Sequence, residues 1–332
     1  MRITDLQTPA LLVESSLLEA NLATMAAALP GARLRPHVKA HKTTALAWRQ
    51  RHAGHPGFTC ATIREVEGMA AAGLGQDLLL ANEVVDARRL GVVAAAGARV
   101  TVAVDSEATV RAAATGGVRE VVVDVNVGLP RCGCPPDRAG ELAGNARAAG
   151  LEVRGVMGYE GHLMLLEPEA DRAEQTKVCM ELLLAAHAEV GGELISAGGT
   201  GTYALNTWAS EIQAGSYLLM DTAYAHLGLP FEQALSLLAT VISVSPGWAV
   251  ADCGLKALGM DHGNPTIPGA SVLFCSDEHV TFVPEDTGAE RVGDRVRVLP
   301  AHVDPTVALH QELHLVDGDQ VLATWPVDLR GW

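Results

Sequence analysis

Up to about residue 225 the chain alternates short apolar, β-rich runs with longer stretches whose apolar residues recur at helical spacing. Candidate strands are Leu34–Val38, Gly57–Ala61, Asp77–Ala81, Arg99–Val104, Glu120–Val125, Glu152–Met157, Glu193–Ala197 and Glu211–Ala214. The intervening helical segments are Ile63–Ala72, Val84–Ala96, Glu107–Thr115, Arg138–Ala149 and Arg172–Val190. Several end at a glycine (Gly73, Gly97, Gly116, Gly150, Gly191), where a helix stops in a left-handed residue. Upstream, Ser16-Leu17-Leu18-Glu19 reads as a capping box that opens another helix. Eight strands alternating with helices over about 200 residues match a (β/α)8 barrel. A doubly wound sheet shares the alternation but calls for a glycine-rich turn after its first strand. The turn after Leu34–Val38 has no glycine. The predicted class is α/β, with a TIM-like barrel.

From about residue 231 the texture changes. Leu238–Val244, Trp248–Ala251, Ser271–Cys275, His279–Val283, Arg295–Leu299, Glu312–Val316 and Val321–Trp325 are short, partly alternating runs separated by Gly, Pro and Asp. Asp317-Gly318 between the last two is a hairpin signal. The expected division is a barrel over residues 1–230 and a smaller antiparallel β domain over residues 231–332.

Composition narrows the partners. Apolar residues are 48% and charged residues 19%, which provides ample core and argues against disorder. Asp and Glu outnumber Lys and Arg by 39 to 24, giving a net charge of −15. That surplus repels phosphate backbones and anionic lipid, so nucleic acid and membrane surfaces are excluded as partners. No basic n-region precedes an apolar run at the start, and the Ala-rich segments break before about 18 residues. The six cysteines are scattered rather than framed, which suits a reducing cytoplasm. Cys132-Gly133-Cys134 is neither a zinc knuckle nor a thioredoxin-type pair.

In a barrel, reactive groups sit at the C-terminal ends of the strands. The first strand runs into Arg35-Pro36-His37-Val38-Lys39-Ala40-His41-Lys42. Lys39 there is either part of a solvated basic turn or an amine among cations, a setting suited to Schiff-base chemistry. Arg131 follows the fifth strand, in a position where arginine is ordinarily a surface residue. The sixth ends in Gly158-Tyr159-Glu160-Gly161-His162, either a pocket wall or a satisfied polar loop. The seventh gives Ser196-Ala197-Gly198-Gly199-Thr200-Gly201-Thr202, whose backbone N–H groups can converge on a phosphate, with Gly215-Ser216 completing the cradle. In the β domain, His302 and Asp304 would share a face of an extended segment and could hold a metal ion with open positions. A lone His-x-Asp also arises by chance.

In order along the chain, the Thr8-Pro9-Ala10-Leu11-Leu12-Val13 run, the Arg35–Lys42 run, the Arg131 turn, Ser196–Thr202 and His302-Val303-Asp304-Pro305-Thr306 form one pattern. It resembles the fold-type III pyridoxal-phosphate enzymes, in the branch holding D-threonine aldolase and metal-dependent D-serine dehydratase. The resemblance runs from about residue 6 to Trp332. It implies an alanine-racemase-like barrel followed by a β domain, in a cytoplasmic homodimer. By that resemblance Lys39 carries pyridoxal 5'-phosphate and Arg131 approaches its phenolic oxygen. Tyr159 and His162 line the pocket, with His162 a candidate base. Gly199, Thr200, Gly215 and Ser216 cradle the phosphate, although relatives often carry Asn where Ser216 stands.

His302 and Asp304 would hold the divalent ion. The dehydratases usually present His-x-Cys, a softer pair suited to zinc. His-x-Asp resembles the aldolases and favours Mn²⁺ or Mg²⁺ over Zn²⁺. The implied activity is retro-aldol cleavage of a D-3-hydroxy amino acid to glycine and an aldehyde. The alternative is dehydration of D-serine or D-3-hydroxyaspartate to a 2-oxo acid and ammonia. In either case a local cationic patch around Arg35, Lys39, Lys42 and Arg131 is expected to receive the anionic cofactor.

Overall fold

A computed structural model describes residues 1–286 and 290–332. The chain divides into two compact units that interleave along the sequence. One comprises Met25–Lys39, Thr44–Gly215 and Leu329–Trp332; the other comprises Met1–Thr24, Ala40–Thr43 and Ser216–Asp328. The second unit holds β1 (Ala10–Glu14). The first holds β2 (Phe58–Cys60), β3 (Leu78–Leu80), β4 (Val100–Val104), β5 (Glu120–Asp124), β6 (Glu152–Gly158), β7 (Leu194–Ala197) and β8 (Glu211–Ile212). The second unit resumes with β9 (Leu235–Ser245), β10 (Trp248–Ala251), β11 (Ala270–Cys275), β12 (Val280–Pro284), β13 (Arg295–Val298), β14 (Glu312–Asp317) and β15 (Gln320–Pro326).

Strands β2 to β8 pair in sequence order as a parallel sheet. Parallel strands covered on both faces need continuous apolar runs. Leu78-Leu79-Leu80 and Val121-Val122-Val123 supply them, and all six side chains are buried. The expected first strand, Leu34–Val38, is irregular because Pro36 has no N–H to donate. It still closes the ring. The Arg35 N–H donates to Ile212 O (2.9 Å), the His37 N–H to Ala214 O (3.0 Å), and the Thr59 N–H to Pro36 O (2.9 Å). Leu34 bridges Ile212 and His37 bridges Thr59, both in parallel, so this segment joins β8 to β2 as the remaining stave of a TIM-like barrel. At Gly155 (φ +144°) a Cβ would lie 2.0 Å from Leu194 O, so β6 and β7 meet this closely only through glycine.

Near the strand starts, the barrel is filled by ion pairs. Arg35 reaches Asp77 and Glu211, each at 2.8 Å. Arg154 on β6 reaches Asp77 (2.7 Å), Thr101 Oγ1 (2.8 Å) and Glu193 (2.9 Å). Burial pushes the Asp77 carboxyl up, but the Arg154 hydrogen bond and the Arg35 charge outweigh it and hold the pKa at about 2. Burial likewise works against the Arg35 guanidinium, and Glu211 and Asp77 more than restore it. Arg35 therefore does not belong to a cationic patch for a cofactor. It is buried, and two carboxylates match its charge.

In the other unit the sheet order is β11-β12-β10-β9-β1-β14-β15, with β13 also on β9. The Asp317-Gly318 turn joins β14 to β15 as expected, with Gly318 at φ +57°. Strand β1 runs antiparallel to β9, with Leu12 opposite Ser236, and parallel to β14, with Leu12 opposite His314. Its side chains from Ala10 to Val13 are buried, as befits an inner strand. The start of the chain thus packs in the antiparallel unit, and the spatial division does not follow a cut at residue 230. Residues Val303–Leu309 form a helix rather than an extended segment, with His302 at its N-cap. Pro305 is tolerated because it lies in the first turn, where no N–H is needed.

Candidate functional site

Because the strands are parallel, the segments after β5, β6, β7 and β8 emerge at one end of the barrel, together with the end of the closing stave. Lys39 lies there in the short turn Val38–Ala40, half-buried, with its backbone N–H donating to His37 Nδ1 (3.4 Å). Arg131, exposed after β5, has its guanidinium carbon 5.4 Å from the centroid of the Tyr159 ring. At Gly128, in the same loop, a Cβ would come within 3.0 Å of the His162 imidazole. At Gly199 a Cβ would lie 3.5 Å from the Tyr159 ring and 2.6 Å from Met164 Sδ. The sequence-read residues Arg131, Tyr159, His162 and Gly199 are therefore neighbours. Thr200 and Gly215 are buried near the same strand ends, and His162 is exposed. Ser216 begins the other unit.

Two acidic residues at this end carry no motif in the sequence. Burial, and then the charge and hydrogen bond of Glu83, push the Asp124 carboxyl well up, against a smaller opposing pull from Arg131. Glu83 follows β3 and Asp124 ends β5, so only the barrel brings them together. The Cys132 thiol beside them is pushed up to about 11 by burial and Glu83, which makes it a poor nucleophile.

The antiparallel unit builds a second group. His302 Nδ1 lies 2.7 Å from Asp261 Oδ2, and its Nε2 lies 3.7 Å from Asp304 Oδ2. A carboxylate on Nδ1 fixes the tautomer that leaves Nε2 as a ligand. Donor atoms that are each about 2.1 Å from one ion lie roughly 3 to 4 Å apart, so His302 and Asp304 fit a divalent cation. A cap geometry, not strand alternation, brings the two together. Asp221 is buried beside them. Its Oδ2 accepts the Val303 N–H (2.8 Å), while its buried Oδ1 has no hydrogen-bond partner among the described residues. Burial pushes the Asp221 pKa up to about 6. Asp261, His262 and His302 also cluster, with ligand atoms within 4.8 Å of one another. The two imidazoles stack, however, 4.0 Å apart and 7° from parallel. Their in-plane lone pairs cannot both point at one ion, so His262 packs on the ligand rather than joining it. The Asp261-His262 dipeptide was the available signal, but its distance along the chain hid it.

The alanine racemase N-terminal domain family matches residues 13–223, and the putative serine dehydratase domain family matches residues 234–316. A D-threonine aldolase of Arthrobacter sp is 34% identical over 364 residues, covering 99% of this chain and 94% of that protein. A 3-hydroxy-D-aspartate aldolase of Paracoccus denitrificans (strain Pd 1222) is 32% identical over 362 residues, covering 99% and 93%. The crystal structure of a D-threonine aldolase from Filomicrobium marinum superposes with a TM-score of 0.94 at 34% identity, over 100% of this chain and 97% of that one. With its closed barrel and antiparallel sheet, the chain belongs to the alanine-racemase-like family that contains D-threonine aldolase.

Proposed function

We propose that this chain is a pyridoxal-phosphate- and divalent-metal-dependent lyase that cleaves the Cα–Cβ bond of a D-3-hydroxy amino acid, giving glycine and an aldehyde. The observation that carries this reading is the His302–Asp304 pair, a nitrogen and a carboxylate oxygen 3.7 Å apart, in a chain with full-length aldolase relatives. Lys39 is the amine that holds the cofactor. Arg131 and Tyr159 position its ring, and Gly199, Thr200, Gly215 and Ser216 receive its phosphate. When bound, the cofactor supplies an electron sink at Cα, and the divalent ion supplies a Lewis acid for the β-oxygen. The exposed His162 imidazole takes the proton from the β-hydroxyl as the bond opens. Asp304 in place of a thiol makes Mn²⁺ or Mg²⁺ the fitting ion.

Incubation with D-threonine, pyridoxal phosphate and Mn²⁺ should give glycine and acetaldehyde in equal amounts. Ammonia with 2-oxobutanoate as the main products would overturn the aldolase reading in favour of the dehydratase. The Asp261→Asn variant should bind Mn²⁺ about 10- to 100-fold more weakly by calorimetry, because His302 loses the partner that orients it.

The cytoplasm and a homodimer complete the proposal. All six cysteines are free thiols, and no helix among the described residues is long and apolar enough to cross a membrane. Ile242, Val244, Trp248, Leu273 and Phe274 expose apolar surface on the antiparallel sheet, as a subunit contact requires. Light scattering on the purified protein should return twice the chain mass.

A further inference from the structure

Glu160 is fully buried between two loops of the barrel end. Its Oε2 accepts the Gly198 N–H (3.1 Å). Its Oε1 accepts the Thr202 hydroxyl (2.9 Å) and the Asn206 side-chain N–H (3.2 Å). The Thr202 Oγ1 in turn accepts the Gly199 N–H (3.3 Å), so one carboxyl reaches two successive glycines of the loop, the second through Thr202. Its own backbone O accepts the Leu163 N–H (2.9 Å), which shapes the turn carrying His162. A buried carboxyl is costly unless its acceptors are filled. Here all the donors come from the turn after β7 and its continuation. Gly198 is held at φ +79°, a conformation the turn requires and that an isolated glycine run does not maintain.

We propose that Glu160 is a positioning residue that sets the shape of the Gly198–Thr202 loop and so confers affinity for the phosphate group of the cofactor. The inference rests on the reading of that loop as the phosphate cradle. With its carboxylate fully buried and engaged by Gly198, Thr202 and Asn206, Glu160 is assigned no direct contact with the cofactor. It acts through the backbone of Gly198 and, by way of Thr202, that of Gly199. Its replacement therefore affects recognition of the phosphate and leaves the aldehyde-binding lysine untouched.

The test compares the affinities of the full-length apoprotein for pyridoxal 5'-phosphate and for pyridoxal, followed by the absorbance change on binding. Glu160→Gln keeps the volume but turns one acceptor into a donor facing the donors of the loop. A buried donor left unmatched predicts that the preference for the phosphorylated form falls by about 10- to 100-fold, with pyridoxal affinity within twofold of wild type. Thr202→Val, which cuts only the relay to the Gly199 N–H, should lower the preference in the same direction by about fivefold. It carries the test if Glu160→Gln does not fold. An unchanged preference in the folded variants overturns the proposal, as does an equal loss for both ligands, the mark of a merely structural role. A wild-type protein that binds pyridoxal as tightly as its phosphate would instead refute the cradle itself.

Discussion

The two ends of the barrel use the same kinds of side chain to opposite ends. At the strand starts, Arg35 and Arg154 are buried and matched by Asp77, Glu211 and Glu193 at 2.7–2.9 Å. Charge there is satisfied internally, and the network closes on itself. At the strand ends, Arg131 and His162 are exposed, Lys39 is half-buried, and the connecting backbone is rich in glycine. Arginine is therefore no guide to function by itself. What distinguishes Arg131 from Arg35 is the end of the stave on which it stands and its partner there, the face of the Tyr159 ring rather than a pair of buried carboxylates.

If this division is right, substitutions at the two ends should separate activity from stability. Lys39→Ala should lower turnover of D-threonine by ~10³-fold or more and abolish borohydride trapping of the cofactor, while the apoprotein's melting temperature stays put. A large fall in melting temperature would mean that Lys39 is structural. Asp77→Asn, at the other end, should destabilise the fold by about 3 kcal/mol in urea titrations, since two buried guanidinium groups lose a shared partner. KM should not move.

The same residue makes a pH prediction. The Asp77 pKa of about 2 lies below that of the unfolded chain, so its contribution is complete above about pH 4 and is lost as pH falls toward 2. Acid unfolding of the wild type should show this loss, about 2 kcal/mol, and the Asp77→Asn variant should not. The smallest effect tests whether the functional end also holds purely structural groups. Thr62 caps the helix Ile63–Ala71 by accepting the Glu65 N–H (3.2 Å), and Thr62→Ala should cost about 1 kcal/mol with activity unchanged.

How much of this was legible in the sequence depended on how local each signal is. The parallel strands were readable because burial on both faces leaves unbroken runs such as Val121-Val122-Val123. Leu34–Val38 was readable as a stave although Pro36 spoils its ladder, because the apolar pattern survives the missing donor. Strand β1 was not assigned, although Ala10-Leu11-Leu12-Val13 is just such a run. Its partners are the distant β9 and β14, and nothing nearby marks it as an inner strand. His302 and Asp304 were legible as a pair on a mistaken geometric ground. The expectation rested on an extended segment, in which residues i and i+2 share a face. The helix tolerates Pro305 because it lies in the first turn. Asp261, Asp221 and the Glu83–Asp124 pair were invisible because each is made by residues that only the tertiary fold brings together. Glu160 was visible as one of a polar cluster, but its three loop donors were not.

The place of β1 also has a consequence for how the protein is made. Ribosomes deliver residues 10–14 before the barrel strands, yet their two sheet neighbours, β9 and β14, emerge only after β8 has been synthesised. The barrel's own staves are contiguous from β2 to β8 and can pair as they appear. Strand β1 must therefore wait for its sheet partners until β9 and β14 arrive. Any pause in translation before β14 leaves that strand open to nascent neighbours on the same message.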